Sequence, residues 1–499
     1  MLLTSSWIVD TIILTVTLSL LVYKYLTRHF DYWRKRKVTH EKPMLLFGNF
    51  YEVFTFKTTI QEHIKKIYDR IDAPYFGIHI LDEPILVLKD PKLVKDVLIK
   101  DSAVFSNRRP ATPTHPLMKH ALFFLNYPHW KPLRAKITPV FTSAMLKNAH
   151  NQYLTDIGQS MTKFLNKNKE TIDSRRIGEY FASEMIFKYF FGANANCFED
   201  IPSVFEPYVK KMGEFSVRNA VIQNLYFIKP SWVTFLKLDF ISESIMTFFE
   251  RVFIEGMINR KSYDGKPQTF VDMANKAVRD TESGKEDTLD FNMSISTAIF
   301  FLIAGRDTLN TLIAFTLYEI AMHADIQDKL REAIQENVEK YGGITYEGVH
   351  DNKYLDMCIK ESMRKYPPIP FLDRMPLSDY TLEGTDLVVK KDMTVIIPFF
   401  ALHRDENLFP NSDGYDPERF REEIQSEGLF YLPFGAGPRA CIGKRLGLLG
   451  LLVSLSYIVL NFKVEKCPET PSKIEFEPKS FPLVSKQGLP LRITPIEHK

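Results

Sequence analysis

The chain has 499 residues, of which 45% are hydrophobic and 13% aromatic, enough apolar material for a large core. Its 64 Lys+Arg nearly balance 61 Asp+Glu, without the basic excess of a nucleic-acid binder. The four cysteines, Cys197, Cys358, Cys441 and Cys467, form no CxxC pair, which indicates neither a disulfide scaffold nor a structural zinc site and makes a reducing compartment the simpler reading.

Residues Trp7 to Leu26 form an apolar run of the length that spans a bilayer. No Lys or Arg precedes the run and no small-residue cleavage site follows it, so an anchor is expected in place of a cleaved signal peptide. Arg28, Arg34, Lys35, Arg36 and Lys37 follow the run and predict that the rest of the chain is cytoplasmic. With only Pro43 in the hinge, a loose connection to the following domain is expected. No repeat or Gly/Ser linker divides the remainder. The expected organisation is an anchor at 1–27, a basic linker at 28–42 and one domain at 43–499.

Residues 75–90 predict a strand hairpin alternating apolar and polar around an Asp-Glu-Pro turn. Helical patterns then dominate. The longest runs from about Thr288 to His323, is apolar nearly all round and is expected to be buried through the centre of the fold. Another covers roughly Asp351 to Lys365 and is stopped by Pro367 and Pro368. Short strands are expected near Val388, near Val395 and at 489–493. The predicted class is mainly α with a small β region.

The chemistry concentrates at Phe434-Gly435-Ala436-Gly437-Pro438-Arg439-Ala440-Cys441-Ile442-Gly443. Gly435 and Gly437 allow a tight turn and a close approach to a flat ligand. Cys441 is expected to open an apolar helix starting at Ile442, whose N-terminal N–H groups favour a thiolate, with Arg439 as a nearby cation. A thiolate suits a soft metal such as iron. This loop resembles the haem-ligand signature of the cytochrome P-450 superfamily, F-x-x-G-x-R-x-C-x-G, at all five specified positions. Chance would produce that match in about one in ten thousand chains of this length.

Other segments keep the family's order. Glu361 and Arg364 fit E-x-x-R, three apart on one helix face. Glu418 and Arg421 share that spacing, so position decides: Pro417-Glu418-Arg419-Phe420 follows where the family places it. The resemblance implies that Glu361, Arg364 and Arg419 form a buried structural network. Trp130 and Arg134 fit W-x-x-x-R, and the implied role is hydrogen bonding to haem propionates, with Arg108, Arg374 and Arg439 as further partners. Phe434, Gly437 and Gly443 are implied to hold the cofactor from the cysteine side, and Ala304 and Gly305 from the other.

Ala304-Gly305-Arg306-Asp307-Thr308 fits the family's oxygen-activation pattern. Gly305 is expected to leave room for a diatomic ligand, and the Thr308 hydroxyl to bond the backbone or bound oxygen. Asp307 is expected to relay protons or to pair with Arg306. Leu309 stands where the family usually carries Thr or Ser.

The resemblance, closest to insect microsomal members that handle foreign compounds, implies a cytochrome P-450 fold. The haem (haem b) would lie between the long central helix and the cysteine-loop helix. It implies a monooxygenase inserting one atom of O2 into small apolar substrates. Electrons would come from NADPH through NADPH-cytochrome P-450 reductase, with cytochrome b5 as a second donor, at the endoplasmic reticulum membrane. Substrate contacts are expected from Phe300, Phe301, Ile303, Phe371, Leu372 and Leu483 and from the 105–124 loop, although each apolar residue fits plain core equally well. Lys131, Lys136, Lys444 and Arg445 are candidates for a reductase-facing patch. The rival readings are a thiolate-haem isomerase or dehydratase, a haem sensor or carrier, and an unligated membrane adaptor.

Overall fold

The Asp290 side chain caps the longest helix, Phe291–Met322, by accepting the Met293 N–H. The computed structural model describes residues 6–497 except 110–112, 169–170, 201–202, 213–215, 240, 261–266, 284–288 and 423–427. Thr288, the predicted start of this helix, and residues 110–112 of the 105–124 loop lie outside the described residues. Twenty of the helix's 32 residues are buried, too many for a surface helix with one apolar stripe. Its Thr308, Thr311 and Thr316 hydroxyls donate to carbonyls one turn back, which satisfies them inside the fold.

Around this central helix pack Ser174–Ile186, Lys353–Lys365 and Lys444–Asn461. Asn352 caps the second of these by accepting the Leu355 N–H, and the helix ends before Pro367 as expected. The hairpin forms from Tyr75–Ile80 and Glu83–Leu88, antiparallel with Ile78 opposite Ile85. Its turn is Leu81-Asp82, with Leu81 in the left-handed region, and Glu83 and Pro84 already belong to the second strand. The expected alternation is absent because both faces are covered, and Phe76 to Ile80 are all buried. Val395–Ile397 pairs parallel to the second strand and antiparallel to Leu372–Arg374, completing four strands. A three-stranded sheet joins Thr171–Asp173, Pro490–Pro495 and Phe462–Lys466. Val388–Val389 pairs with Tyr380–Thr381.

Three described helices are long and apolar enough to cross a membrane. The most apolar 18-residue stretches of Phe291–Met322 and Lys444–Asn461 are 56% and 61% buried inside the fold, whereas that of Trp7–Thr27 is not buried at all. An apolar helix with no protein partner requires a lipid one. The basic segment after it is docked, not loose. Trp33 is fully buried and donates its indole N–H to the Ile78 carbonyl at 3.1 Å. Its ring lies where a Cβ on Gly77 would stand. Arg28 pairs with Asp82 at 2.5 Å.

Candidate active site around Cys441

The cysteine loop closes on itself where the Cys441 N–H donates to the Phe434 carbonyl at 2.8 Å. Gly435 and Gly437 have φ of +68° and +71°, conformations that disfavour any side chain. The tightness at Gly437 is toward protein, not toward an open ligand face: a Cβ there would lie 1.8 Å from the Leu98 carbonyl oxygen. The apolar helix begins at Lys444 with Gly443 as its N-cap, two residues later than expected. Cys441 therefore precedes the first turn, and the Gly443 and Lys444 N–H groups reach its sulfur. Among the cysteines it alone is exposed.

The cations acting on that sulfur are Arg108 and Arg134. The expectation for Arg439 is corrected: its guanidinium points the other way, donating to the Ser106 and Leu125 carbonyls and lying 4.2 Å over the Trp130 ring. Trp130 itself donates to the Ser106 hydroxyl at 3.1 Å. Although the residue is open on one side, the surrounding protein desolvates its sulfur and pushes the Cys441 thiol up, while the Gly443 and Lys444 N–H groups, Arg108 and Arg134 pull it down.

Arg108, Arg134, Arg374 and Arg439 nonetheless converge. Burial and the neighbouring arginines push Arg439 down to about 8 and Arg374 down to about 9, opposed by the Asp373 carboxylate. A guanidinium does not surrender its proton in a protein. Four such cations gathered in a poorly solvated site suit an anion. Arg108 donates to the Arg439 carbonyl at 3.1 Å, while its Nε is buried without a hydrogen-bond partner.

On the central helix, Thr308 donates to the Ala304 carbonyl at 2.8 Å. Asp307 accepts from Arg306 at 2.6 Å, and Arg306 also pairs with Glu179. Burial is the largest influence on Asp307 and raises its carboxyl, with Arg306 opposing. Gly305 does not open space for a small ligand; a Cβ there would stand 2.9 Å from Ile186, so its role is close packing against Ser174–Ile186. Leu309 packs at Gly450 in the core.

A family model for Cytochrome P450 matches residues 39–492. Cytochrome P450 6k1 and 6j1 of Blattella germanica are each 34% identical, over 97% and 98% of this chain and 96% and 98% of those proteins. Probable cytochrome P450 6g2 of Drosophila melanogaster is 30% identical over 97% of this chain and 98% of its own length. The chain belongs to the cytochrome P450 family. It is accordingly a haem monooxygenase with insect relatives, and its mainly helical architecture with small sheets is the P450 fold.

The residues present fit that cofactor. A propionate-bearing macrocycle needs cations at its edge, and four arginines with an orphaned Nε stand there. Metal coordination deprotonates a thiol, so an iron held there would offset the desolvation that pushes the Cys441 thiol up.

Away from the cofactor region, Arg364 donates to Glu361 through Nε at 2.7 Å and Nη2 at 2.8 Å, both residues being fully buried. It also donates to the His403, Ser412 and Gly414 carbonyls. Arg419 approaches Glu361 at 3.5 Å and donates to the Pro410 and Asn411 carbonyls. The P450 thus stitches its Lys353–Lys365 helix to the 403–419 segment through one buried carboxylate.

The expected substrate residues divide. Phe300 is half-buried and stacks on Phe123 at 5.2 Å. Ile303 is half-buried on the same helix. Phe301 is corrected to core, between Phe141 and Phe190. Phe371 and Leu372 are buried in the core around the four-stranded sheet, Leu372 against Gly435. Leu483 is buried beside Phe315 and Tyr366 and accepts from the Thr311 hydroxyl at 3.2 Å. The sequence reading missed Phe227 and Phe481, stacked at 3.5 Å, which continue the aromatic group begun by Phe123 and Phe300. No local motif marks them. Lys131, Lys444 and Arg445 are exposed, and Lys136 is half-buried.

Proposed function

We propose that this P450 inserts one oxygen atom of O2 into small apolar substrates (plant compounds, insecticides, or endogenous lipids and hormones), with Cys441 as the residue that would hold the iron of haem b. The observation that carries the reading is the accessible Cys441 sulfur beside the Gly443 and Lys444 N–H groups and Arg108 and Arg134. The haem supplies oxygen binding and O–O cleavage, which a thiolate ligand favours. The chain's residues do the rest. Arg108, Arg134, Arg374 and Arg439 orient the cofactor through its propionates, and Trp130, whose one N–H is taken by the Ser106 hydroxyl, supports them by lying under the Arg439 guanidinium. Phe434 and Gly443 support the cysteine side. Ala304 and Thr308 face the substrate side, where Thr308 holds a hydroxyl proton on the Ala304 carbonyl and Asp307 is the acid beside it. Phe123, Phe300, Phe227 and Phe481 press substrates with an apolar wall and exclude water.

Two electrons come from NADPH through NADPH-cytochrome P-450 reductase, docking on the face that carries Lys131, Lys444 and Arg445. The Trp7–Thr27 helix anchors the enzyme in the endoplasmic reticulum membrane with the catalytic domain in the cytoplasm. The Asp307-Thr308 pair on the central helix favours a monooxygenase over an isomerase or dehydratase, which has no use for oxygen protonation. The test is Cys441→Ser, read by the reduced carbon monoxide spectrum. The strongly red-shifted band is expected in the parent and absent in the variant, and its survival in the variant refutes the assignment.

A further inference from the structure

One carboxylate oxygen at the hairpin turn holds two other segments at once. Glu83 Oε2 accepts from Lys229 Nζ at 2.8 Å and from Arg109 Nη2 at 2.9 Å. Lys229 is the junction at which Val217–Ile228 ends and Pro230–Leu236 begins. Arg109 belongs to the loop that carries Phe123 and Phe124. The neighbouring carboxylate, Asp82, is already engaged by Arg28 at 2.5 Å and stands farther from Lys229, at 3.6 Å.

The two segments also hold each other. The Thr114 hydroxyl donates to the Leu238 carbonyl at 3.4 Å, and the His115 N–H donates to Asp239 at 3.0 Å. Behind these bonds lies the aromatic wall, where Phe227, two residues before Lys229, meets Phe123 edge-on at 6.3 Å and stacks on Phe481. Beyond Lys229 the grip is slight: of the seven residues in Pro230–Leu236, only Pro230 and Val233 are buried. Arg109 is the opposite case. Its side chain is 7% exposed, and its Nε and Nη1 are buried without a hydrogen-bond partner among the described residues. Burial pushes its guanidinium down, and Glu83, followed by Asp373, pulls it up. A buried cation that loses its counter-charge is costly to leave in place, and moving outward into water relieves it.

We infer that Glu83 is a latch. It holds 217–236 and the stretch 113–124 closed together over the aromatic wall, and substrates enter between them when Lys229 and Arg109 leave it. The inference rests on the monooxygenase reading of the Cys441 site. Glu83 acts through Lys229 and Arg109, so it sets how fast a substrate passes and not how tightly the substrate is held.

The test uses the full-length, haem-loaded protein and two probes that bind iron, N-phenylimidazole and carbon monoxide, of which only the first is too bulky to slip past a closed latch. Association and dissociation rates of N-phenylimidazole are each expected to rise about tenfold in Glu83→Gln, with the binding constant unchanged. A smaller rise is expected in Lys229→Met, which leaves Arg109 paired. The double variant is expected to match Glu83→Gln, because both changes break one link. Carbon monoxide rates should stay as in the parent. Amide hydrogen exchange, which needs no haem, is expected to quicken in 217–236 of both single variants and not in Phe291–Met322. Unchanged N-phenylimidazole rates, a double variant faster than Glu83→Gln, a rise in dissociation alone, or carbon monoxide rates that rise alike overturn the latch. Quickened exchange in both variants of a protein whose parent shows no red-shifted carbon monoxide band would keep the latch and refute the monooxygenase reading instead.

Discussion

Replacing Gly437 with alanine places a methyl group 1.8 Å from the Leu98 carbonyl oxygen, where an ordinary C···O contact is about 3.4 Å. The loop or the Leu98 backbone must then give by about 1.6 Å, the difference between those distances. The obstacle is backbone, so no rotamer change relieves it. Overpacking of this kind costs about 1–3 kcal/mol. The φ of +71° adds about 1–2 kcal/mol for a residue with a Cβ. The total of about 2–5 kcal/mol lowers the melting midpoint by about 4–10 °C, at about 2 °C per kcal/mol for a large chain. Gly342→Ala is the control: its φ is +72° and nothing stands within 4 Å of the added Cβ. It should show only the conformational part, about 1–2 kcal/mol. Both variants are compared by thermal unfolding and by retention of haem, since the Gly437 carbonyl accepts the Ala440 N–H beside Cys441. If Gly437→Ala melts no lower than Gly342→Ala, the steric argument is wrong.

Two further expectations test the buried polar groups. Glu361→Gln leaves the fully buried Arg364 without its charge partner and should cost about 3–5 kcal/mol, whereas Glu418→Gln breaks an equally spaced but exposed pair with Arg421 and should cost under about 1 kcal/mol. Equal melting temperatures for the two variants would refute the distinction. His403 is fully buried, and its Nε2 accepts the Leu432 N–H at 2.9 Å, which requires the neutral ring. Burial pushes it down to about 3 from an ordinary 6.5. The unfolded chain therefore takes up this proton first, so the contribution is full above about pH 6.5 and is lost toward pH 3 by up to about 1.4 kcal/mol per unit. Melting temperature measured from neutral pH down to about pH 5 should fall less steeply in His403→Gln than in the parent, and parallel slopes would refute the assignment.

The readable features were those whose chemistry sits in one contiguous stretch. Five spaced residues around Cys441, an apolar run at the N-terminus and the helix stop at Pro367 carry their own physical reasons: a turn that needs glycine, a length that spans lipid, a ring that cannot continue a helix. Family resemblance then supplied order and placed the Glu361–Arg364 pair above its identical-looking neighbour at Glu418 and Arg421. What a residue faces is another matter, because it depends on which surfaces pack together. The contacts of Gly437 with Leu98 and Gly305 with Ile186, the turn of Arg439 away from the sulfur, and the convergence of four arginines join segments far apart in the chain. The same holds for Glu179, which no motif marks. Sequence determined which groups carry the chemistry; tertiary packing decided where each one points, because direction is set by the neighbour that fills the space and not by the residue's own identity.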